Sequence, residues 1–185
     1  MPVFISMLRG VNVGGHNRVE MDALRALYQS LKLEDPRTHV QSGNVIFKTK
    51  EENVAALTKK IQTAIEETFG FRPIVILRTA AELRNAVAIN PFASRPGIEP
   101  GKLLVAFLVA EPTPEAATSL RNFRKLPEEL HLLGRELFIY FPNGSGKSKL
   151  PWASLEKHLL VANTARNLNS VQKMLAIAEE MEAAQ

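Results

Sequence analysis

The chain contains no cysteine. That single absence excludes disulfides, thiolate metal sites and a cysteine nucleophile, and it fits a reducing compartment. Long hydrophobic runs are also missing. The first apolar run is broken by Arg9 and Asn12, so no secretory leader is expected. No run approaches the ~20 residues of a membrane span. The expectation is a soluble cytoplasmic protein without a membrane partner. Aromatics make up only 6% of residues, and Phe4, Phe47, Phe69 and Phe107 fall at core positions of strands or helices. The four histidines, His16, His39, His131 and His158, include no pair at the i, i+4 spacing of a metal-binding helix. With cysteine missing as well, neither a metal site nor a cofactor is expected.

What is present is an ordinary globular composition, 45% hydrophobic and 23% charged in 185 residues. A chain of this size buries roughly 70% of its unfolded surface and folds without metal or disulfide. Net charge is +4. Residues 1–78 carry 11 Lys/Arg against 8 Asp/Glu, and residues 79–185 carry 12 against 11. This mild basic bias is compatible with a phosphate-bearing partner and equally with a solvated mixed surface.

Periodicity predicts alternating short strands and amphipathic helices. Residues 3–8 read as a central strand. Leu24, Leu27, Tyr28 and Leu31 form one helical stripe, ended at Asp35-Pro36. Residues 38–40 and 45–47 flank Gln41-Ser42-Gly43-Asn44 as a hairpin. A helix over 51–69 stops at Gly70, and a strand follows at 73–77. Strand, helix, strand, strand, helix, strand is the ferredoxin-like order. In the second half, Thr79 and Glu82 form a capping box that opens a helix. Strands at 103–109, 129–133 and 136–141 follow, with helices after Thr113, after Ser148 and from Ser170. The predicted fold class is therefore α+β: two subdomains of ferredoxin-like element order, each an antiparallel sheet with helices on one face. Residues 1–78 form the first. Residues 79–185 form the second, with extra terminal helices.

The ferredoxin-like strand order, 4-1-3-2, places the loop after strand 1 beside the turn between strands 2 and 3. That loop holds three glycines, two asparagines and two arginines within residues 9–18. Arg9, Gly10, Asn12, Gly14, Gly15, His16, Arg18, Gln41, Ser42 and Asn44 are thus brought to one end of one sheet. Glycine lets backbone approach a ligand, and consecutive N–H groups in a turn attract anions. The alternative is purely structural: Gly14 and Gly15 satisfy positive φ, and the Asn12 and Asn44 side chains bond the loops to each other.

The apolar first strand argues that the sheet face is covered, unlike the open aromatic face of RNA-binding sheets. The segment Asn143-Gly144-Ser145-Gly146-Lys147-Ser148 reads like the end of a phosphate loop, but Phe141 stands where the full motif requires glycine. It is either a phosphate contact through Lys147 and Ser148 or a plain strand-to-helix loop with Ser148 as N-cap.

Leu8-Arg9-Gly10-Val11-Asn12-Val13-Gly14-Gly15, followed by Val40-Gln41-Ser42-Gly43-Asn44-Val45-Ile46-Phe47, closely resembles a widespread bacterial family of uncharacterised proteins. Its members share an "LRGINVGG" loop and a "QSGNVVF" hairpin. Residues 143–150 resemble its "NGIGRSKL" loop, and residues 164–170 its "TTRNWNT" segment. Leu168 replaces the usual Trp, and His16 a frequent Lys. The resemblance implies two α+β subdomains and no established activity. Function is expected to be binding of a nucleotide or nucleic acid at the glycine-loop end, with Lys147, Lys149, Arg166 and Asn167 as distal partners. A small cofactor-independent enzyme using His16, Arg9 and Asn12 on an anionic metabolite is the second expectation. A protein-interaction module docking through the C-terminal helix is the third.

Overall fold

In the computed structural model, residues 1–123 and 126–184 are described. The chain divides into two compact units, Met1–Asn85 with Gln172–Gln185, and Ala86–Val171. The first contains β1 (Val3–Leu8), α1 (Met21–Ser30), β2 (Glu34–His39), β3 (Asn44–Lys48), α2 (Val54–Phe69) and β4 (Val75–Thr79). Helix α3 (Ala80–Ala88) crosses into the second. There follow β5 (Leu103–Leu108), α4 (Pro114–Ser119), β6 (Glu129–Leu133), β7 (Glu136–Tyr140), α5 (Trp152–Leu159) and β8 (Asn163–Asn167). Helix α6 (Leu168–Ala183) crosses back. The sheets run β2-β3-β1-β4 and β6-β7-β5-β8, every pairing antiparallel. The fold is α+β, with the ferredoxin-like order in both units.

Local signals explain most elements. Asn53 caps α2 by accepting from Ala56 N–H at 3.0 Å, and Gly70 closes it in the left-handed conformation. Thr79 and Glu82 exchange the two bonds of a capping box, Glu82 N–H to Thr79 Oγ1 and Thr79 N–H to Glu82 Oε2. Thr113 caps α4, with Pro114 in its first turn.

Element ends shift by a few residues throughout, and two differences from the sequence reading go further. Helix α1 ends at Ser30, not at Asp35-Pro36. Lys32 takes φ +60° while Lys32 N–H bonds Gln29 O and Leu33 N–H bonds Tyr28 O. That is a Schellman stop built on lysine in place of glycine, and it frees residues 34–37 to pair as β2. The second difference is β8, a strand that residues 163–167 do not advertise. They are polar, yet Asn163, Thr164 and Arg166 are buried. With β8 the second unit completes the ferredoxin-like order.

In the first unit Phe4, Leu8, Val45, Phe47, Val75 and Leu77 pack against Leu24, Tyr28, Leu57, Ile61 and Ile65 of α1 and α2. Phe47 meets Tyr28 edge-on, with ring centroids 5.4 Å apart. It therefore faces the helices and not an open sheet surface. On the opposite face Ile5, Met7 and Ile46 are also fully buried, as the nearly continuous apolar character of β1 predicts.

The two sheets match residue by residue on their fourth strands. Arg78 is registered with Ile5 and Arg166 with Val105. Each arginine donates to the carbonyl of the preceding residue, Leu77 at 3.1 Å and Ala165 at 2.9 Å. The repeat is thus present in side-chain geometry where it is silent in sequence.

The helix face of the first sheet contains one polar pair, Ser6 Oγ and Tyr28 Oη, 2.8 Å apart with both residues fully buried. Burial pushes the Tyr28 phenol well above its ordinary range, against the smaller opposing effect of the Ser6 bond. Tyr28→Phe leaves the Ser6 hydroxyl dry and unpaired, so it should destabilise by about 1–3 kcal/mol. Adding Ser6→Ala should recover most of that loss, read as the coupling in a double-mutant cycle of urea unfolding.

Candidate functional site

The end of the first sheet is built from two loops that hold each other. Leaving β1, Leu8 N–H bonds Gly43 O at 3.0 Å and Arg9 N–H bonds Ile74 O at 2.9 Å. The chain then folds into a miniature hairpin. Asn12 N–H reaches Asn17 O at 3.1 Å, and His16 N–H reaches Val13 O at 3.0 Å. Gly14 and Gly15 at its tip have φ of +58° and +80°. Two consecutive positive φ values define the type I′ turn, whose twist suits tight hairpins and which glycine adopts freely.

The Asn12 side chain joins this hairpin to the neighbouring turn. Its amide nitrogen donates to Gln41 O at 2.8 Å and to Val19 O at 2.9 Å, while its oxygen accepts from Val19 N–H at 2.9 Å. Asn17 donates to Gly10 O at 3.0 Å. Asn44, fully buried, donates to His39 O and to Ser42 Oγ. Both amide hydrogens of Asn12 are therefore engaged by backbone, and its part is to position the loops. Gly43 has a different role from the tip glycines. It sits at φ +72°, and a Cβ there would stand 2.9 Å from Leu8 Cβ and 3.2 Å from Val11 Cβ.

What this end offers outward is mostly cationic, apolar and backbone. His16, Arg18 and Gln41 are exposed and Arg9 is half-buried. Val13 is 62% exposed and Val40 52%. Val40 also holds φ +52°, a conformation that costs a β-branched residue roughly 1–3 kcal/mol. The Gly14 and Gly15 N–H groups have no partner among the described residues.

The five remaining sequence-predicted residues lie in the second unit, Lys149 among them and exposed. Lys147 ends a short 3-10 turn, Ser145–Lys147. Ser148 donates to Glu128 Oε1 at 2.6 Å and accepts from Leu150 N–H. The N-cap position of α5 belongs to Pro151, so Ser148 does not cap that helix. Arg166 is 9% exposed and donates to Thr164 Oγ1 at 2.8 Å as well as to Ala165 O. Desolvation brings its guanidinium down to about 10, still cationic at neutral pH. Asn167 donates to Gly101 O and accepts from Asn169 N–H. Among the described residues no three His, Asp or Glu side chains gather as metal ligands. No helix among them is long and apolar enough to cross a membrane.

The fold of two ferredoxin-like units in tandem is similar to that of a conserved bacterial protein from Streptococcus pneumoniae, SP0830. That structure aligns with a TM-score of 0.66 at 22% identity, over 96% of this chain and 98% of that one. The chain belongs to the family described as "Protein of unknown function (DUF1697)", which matches residues 1–138. No curated protein matches it.

Gly43→Ala combines a left-handed φ with a collision against the Leu8 and Val11 side chains, and should cost about 2–4 kcal/mol. Gly15→Ala meets open space and should cost only about 1–2 kcal/mol. Thermal unfolding of the two variants measures the difference. A pH titration tests His39 on β2. Burial, reinforced by the Lys173 charge, lowers its pKa from 6.5. The unfolded chain therefore takes up this proton first, so the His39 contribution is complete above pH 6.5 and declines as pH falls below it. His39→Gln should flatten the stability profile between pH 7 and pH 5, measured by urea midpoints.

Proposed function

We propose that the loop end of the first sheet binds a phosphate-bearing polymer, a single-stranded nucleic acid, through Arg9, His16 and Arg18 with the Gly14 and Gly15 N–H groups. The observation that carries this reading is the Asn12 clip. It ties residues 10–17 to the turn at residues 41–44, with half-buried Arg9 before the hairpin and exposed Arg18 after it. A preorganised loop loses little entropy when a ligand arrives. Cations beside such a hairpin neutralise phosphates, while the exposed glycine amides approach the phosphate oxygens closely because no side chain intervenes. Gln41, at the neighbouring turn, supplies a neutral donor for a sugar or base edge. Lys147 and Lys149 add positive charge in the second unit. The protein acts in the cytoplasm, where such ligands are abundant.

Fluorescence anisotropy with labelled single-stranded oligonucleotides tests the proposal. Contacts to about three phosphates give a slope near −2 in log affinity against log salt, at ~−0.7 per contact. Arg9→Ala with Arg18→Ala should weaken binding about tenfold or more at low salt and reduce the slope toward −1. An unchanged affinity in that double variant, or a salt-independent one in the parent, excludes the assignment.

A further inference from the structure

The two edge strands β2 and β6 occupy the same place in their respective sheets, and both carry an ion-paired charge, Asp35 with Arg37 on β2 and Glu129 with Arg95 on β6, but only β2 has a bulge and a proline. Strand β2 has a register shift between Glu34 and Arg37, a positive φ at Asp35, a proline at 36 and an ion pair from Arg37 to Asp35. Bulge, proline and charge are the usual protections of an open edge. Strand β6, Glu-Leu-His-Leu-Leu, pairs with β7 in unbroken register and has neither proline nor bulge.

A cavity of about 630 Å³ runs along that unbulged edge. All six residues from 128 to 133 line it, together with Leu120, Phe123 and Leu126. Side chains of a strand alternate between faces. A cavity touched by six consecutive residues therefore lies along the strand's backbone edge and not against one face. The register says which backbone groups are there. Leu133 and Glu136 flank the two-residue turn Gly134-Arg135 and form the closing hydrogen-bonded pair. The N–H and C=O groups of Glu129, His131 and Leu133 consequently point to β7, and those of Leu130 and Leu132 point outward.

A second observation specifies what belongs there. Glu128 is 6% exposed and its Oε1 accepts from Ser148, but its Oε2 is closed off from water with no hydrogen-bond partner among the described residues. Buried carboxylate oxygens in native structures are normally paired. Glu128 shares strand parity with Leu130 and Leu132, whose side chains pack on the helix-side core.

We propose that β6 is a β-augmentation site: it accepts an extended peptide from a partner protein as a fifth strand of the second sheet. The peptide's main chain bonds Leu130 and Leu132. On the face toward Leu120, Phe123 and Leu126 it presents apolar residues at i and i+2 and a lysine or arginine beside Glu128. The five residues of β6 span about 17 Å at ~3.4 Å each, the reach of one short strand.

The test uses fluorescein-labelled pentapeptides, valine-threonine-valine-threonine-lysine and its reversed order, since either strand direction satisfies the site. One order should bind. Glutamate in place of lysine should weaken it about tenfold, and Glu128→Gln in the protein should do the same. Methylating the alternate backbone nitrogens of the peptide should abolish binding without touching the protein, which separates a missing main-chain bond from a folding defect. Hydrogen exchange should show Leu130 and Leu132 amides fast in the free protein and slow in the complex, with Glu129, His131 and Leu133 slow in both. The proposal is overturned if neither order binds, or if the methylated peptide binds as well as its parent. Protection of Leu130 and Leu132 that rises with protein concentration would make a second copy of the chain the occupant, and would overturn it too.

Discussion

Asn12 holds the first unit's loop end in one shape. It is an asparagine in the left-handed region, at φ +55°, where its short amide replaces the backbone hydrogen bonds that a tight turn leaves unmade. From that position it engages both polar groups of Val19 and the carbonyl of Gln41. Val19 fixes the approach to α1, and Gln41 lies in the turn joining β2 to β3. One side chain thereby couples the exit of the central strand, the start of the first helix and the hairpin beside it. The glycines work within that constraint. Gly14 and Gly15 turn the tip, and Gly43 makes room for Leu8 and Val11 to pass beneath the turn. Asparagine here is more than a turn former: its carbonyl and its amide each close a different contact, which neither aspartate nor serine can reproduce.

The ferredoxin-like order occurs twice, and the repeat separates what the fold requires from what each unit adds. Both fourth strands contain an arginine at the same register, and both enter the next helix through a polar cap, Thr79 or Asn167. Those are requirements of the architecture: a strand that leads straight into a helix needs its first N–H groups satisfied. The loop after β1 and the bare edge of β6 are not repeated. After β5 there is no glycine hairpin, and β2 is bulged and contains a proline where β6 is straight and has neither. Features that a duplicated fold does not need twice are the ones to read as particular to this protein.

Much of this was legible in the sequence because it rests on strong local rules. The capping box at Thr79 and Glu82, the glycine stop at 70 and the apolar β1 each follow from residue type and spacing. The juxtaposition of the two loops followed from strand order alone. The missed elements share a physical cause, which is tertiary structure overriding a weak local signal. Lys32 ends α1 in a conformation that sequence rules assign to glycine, and its two backbone bonds stabilise what its side chain disfavours. Strand β8 is made of Asn, Thr, Ala, Arg and Asn, a poor strand on propensity. It forms because β5 offers a free edge and because burial there is matched by hydrogen bonds, Arg166 to Thr164 among them.

The orphaned oxygen of Glu128 was illegible for a further reason: its meaning lies in what fails to meet it. Sequence shows Ser148 in a loop that mimics part of a phosphate motif. In the fold that hydroxyl serves Glu128 instead, and by donating to Oε1 it holds the carboxylate with Oε2 unanswered among the described residues. A fold that had no use for this carboxylate would lose nothing by placing an apolar residue there, since a half-satisfied buried acceptor is worse than an apolar contact. The same reasoning applies to the strand that follows. An edge whose Leu130 and Leu132 backbone groups have no partner among the described residues is an aggregation hazard unless it is covered, and the chain that guards β2 with proline and bulge gives this strand neither. Two liabilities side by side, each avoidable by a single substitution, are reconciled when one occupant answers both: main-chain donors and acceptors for the strand, and a cationic side chain for Glu128.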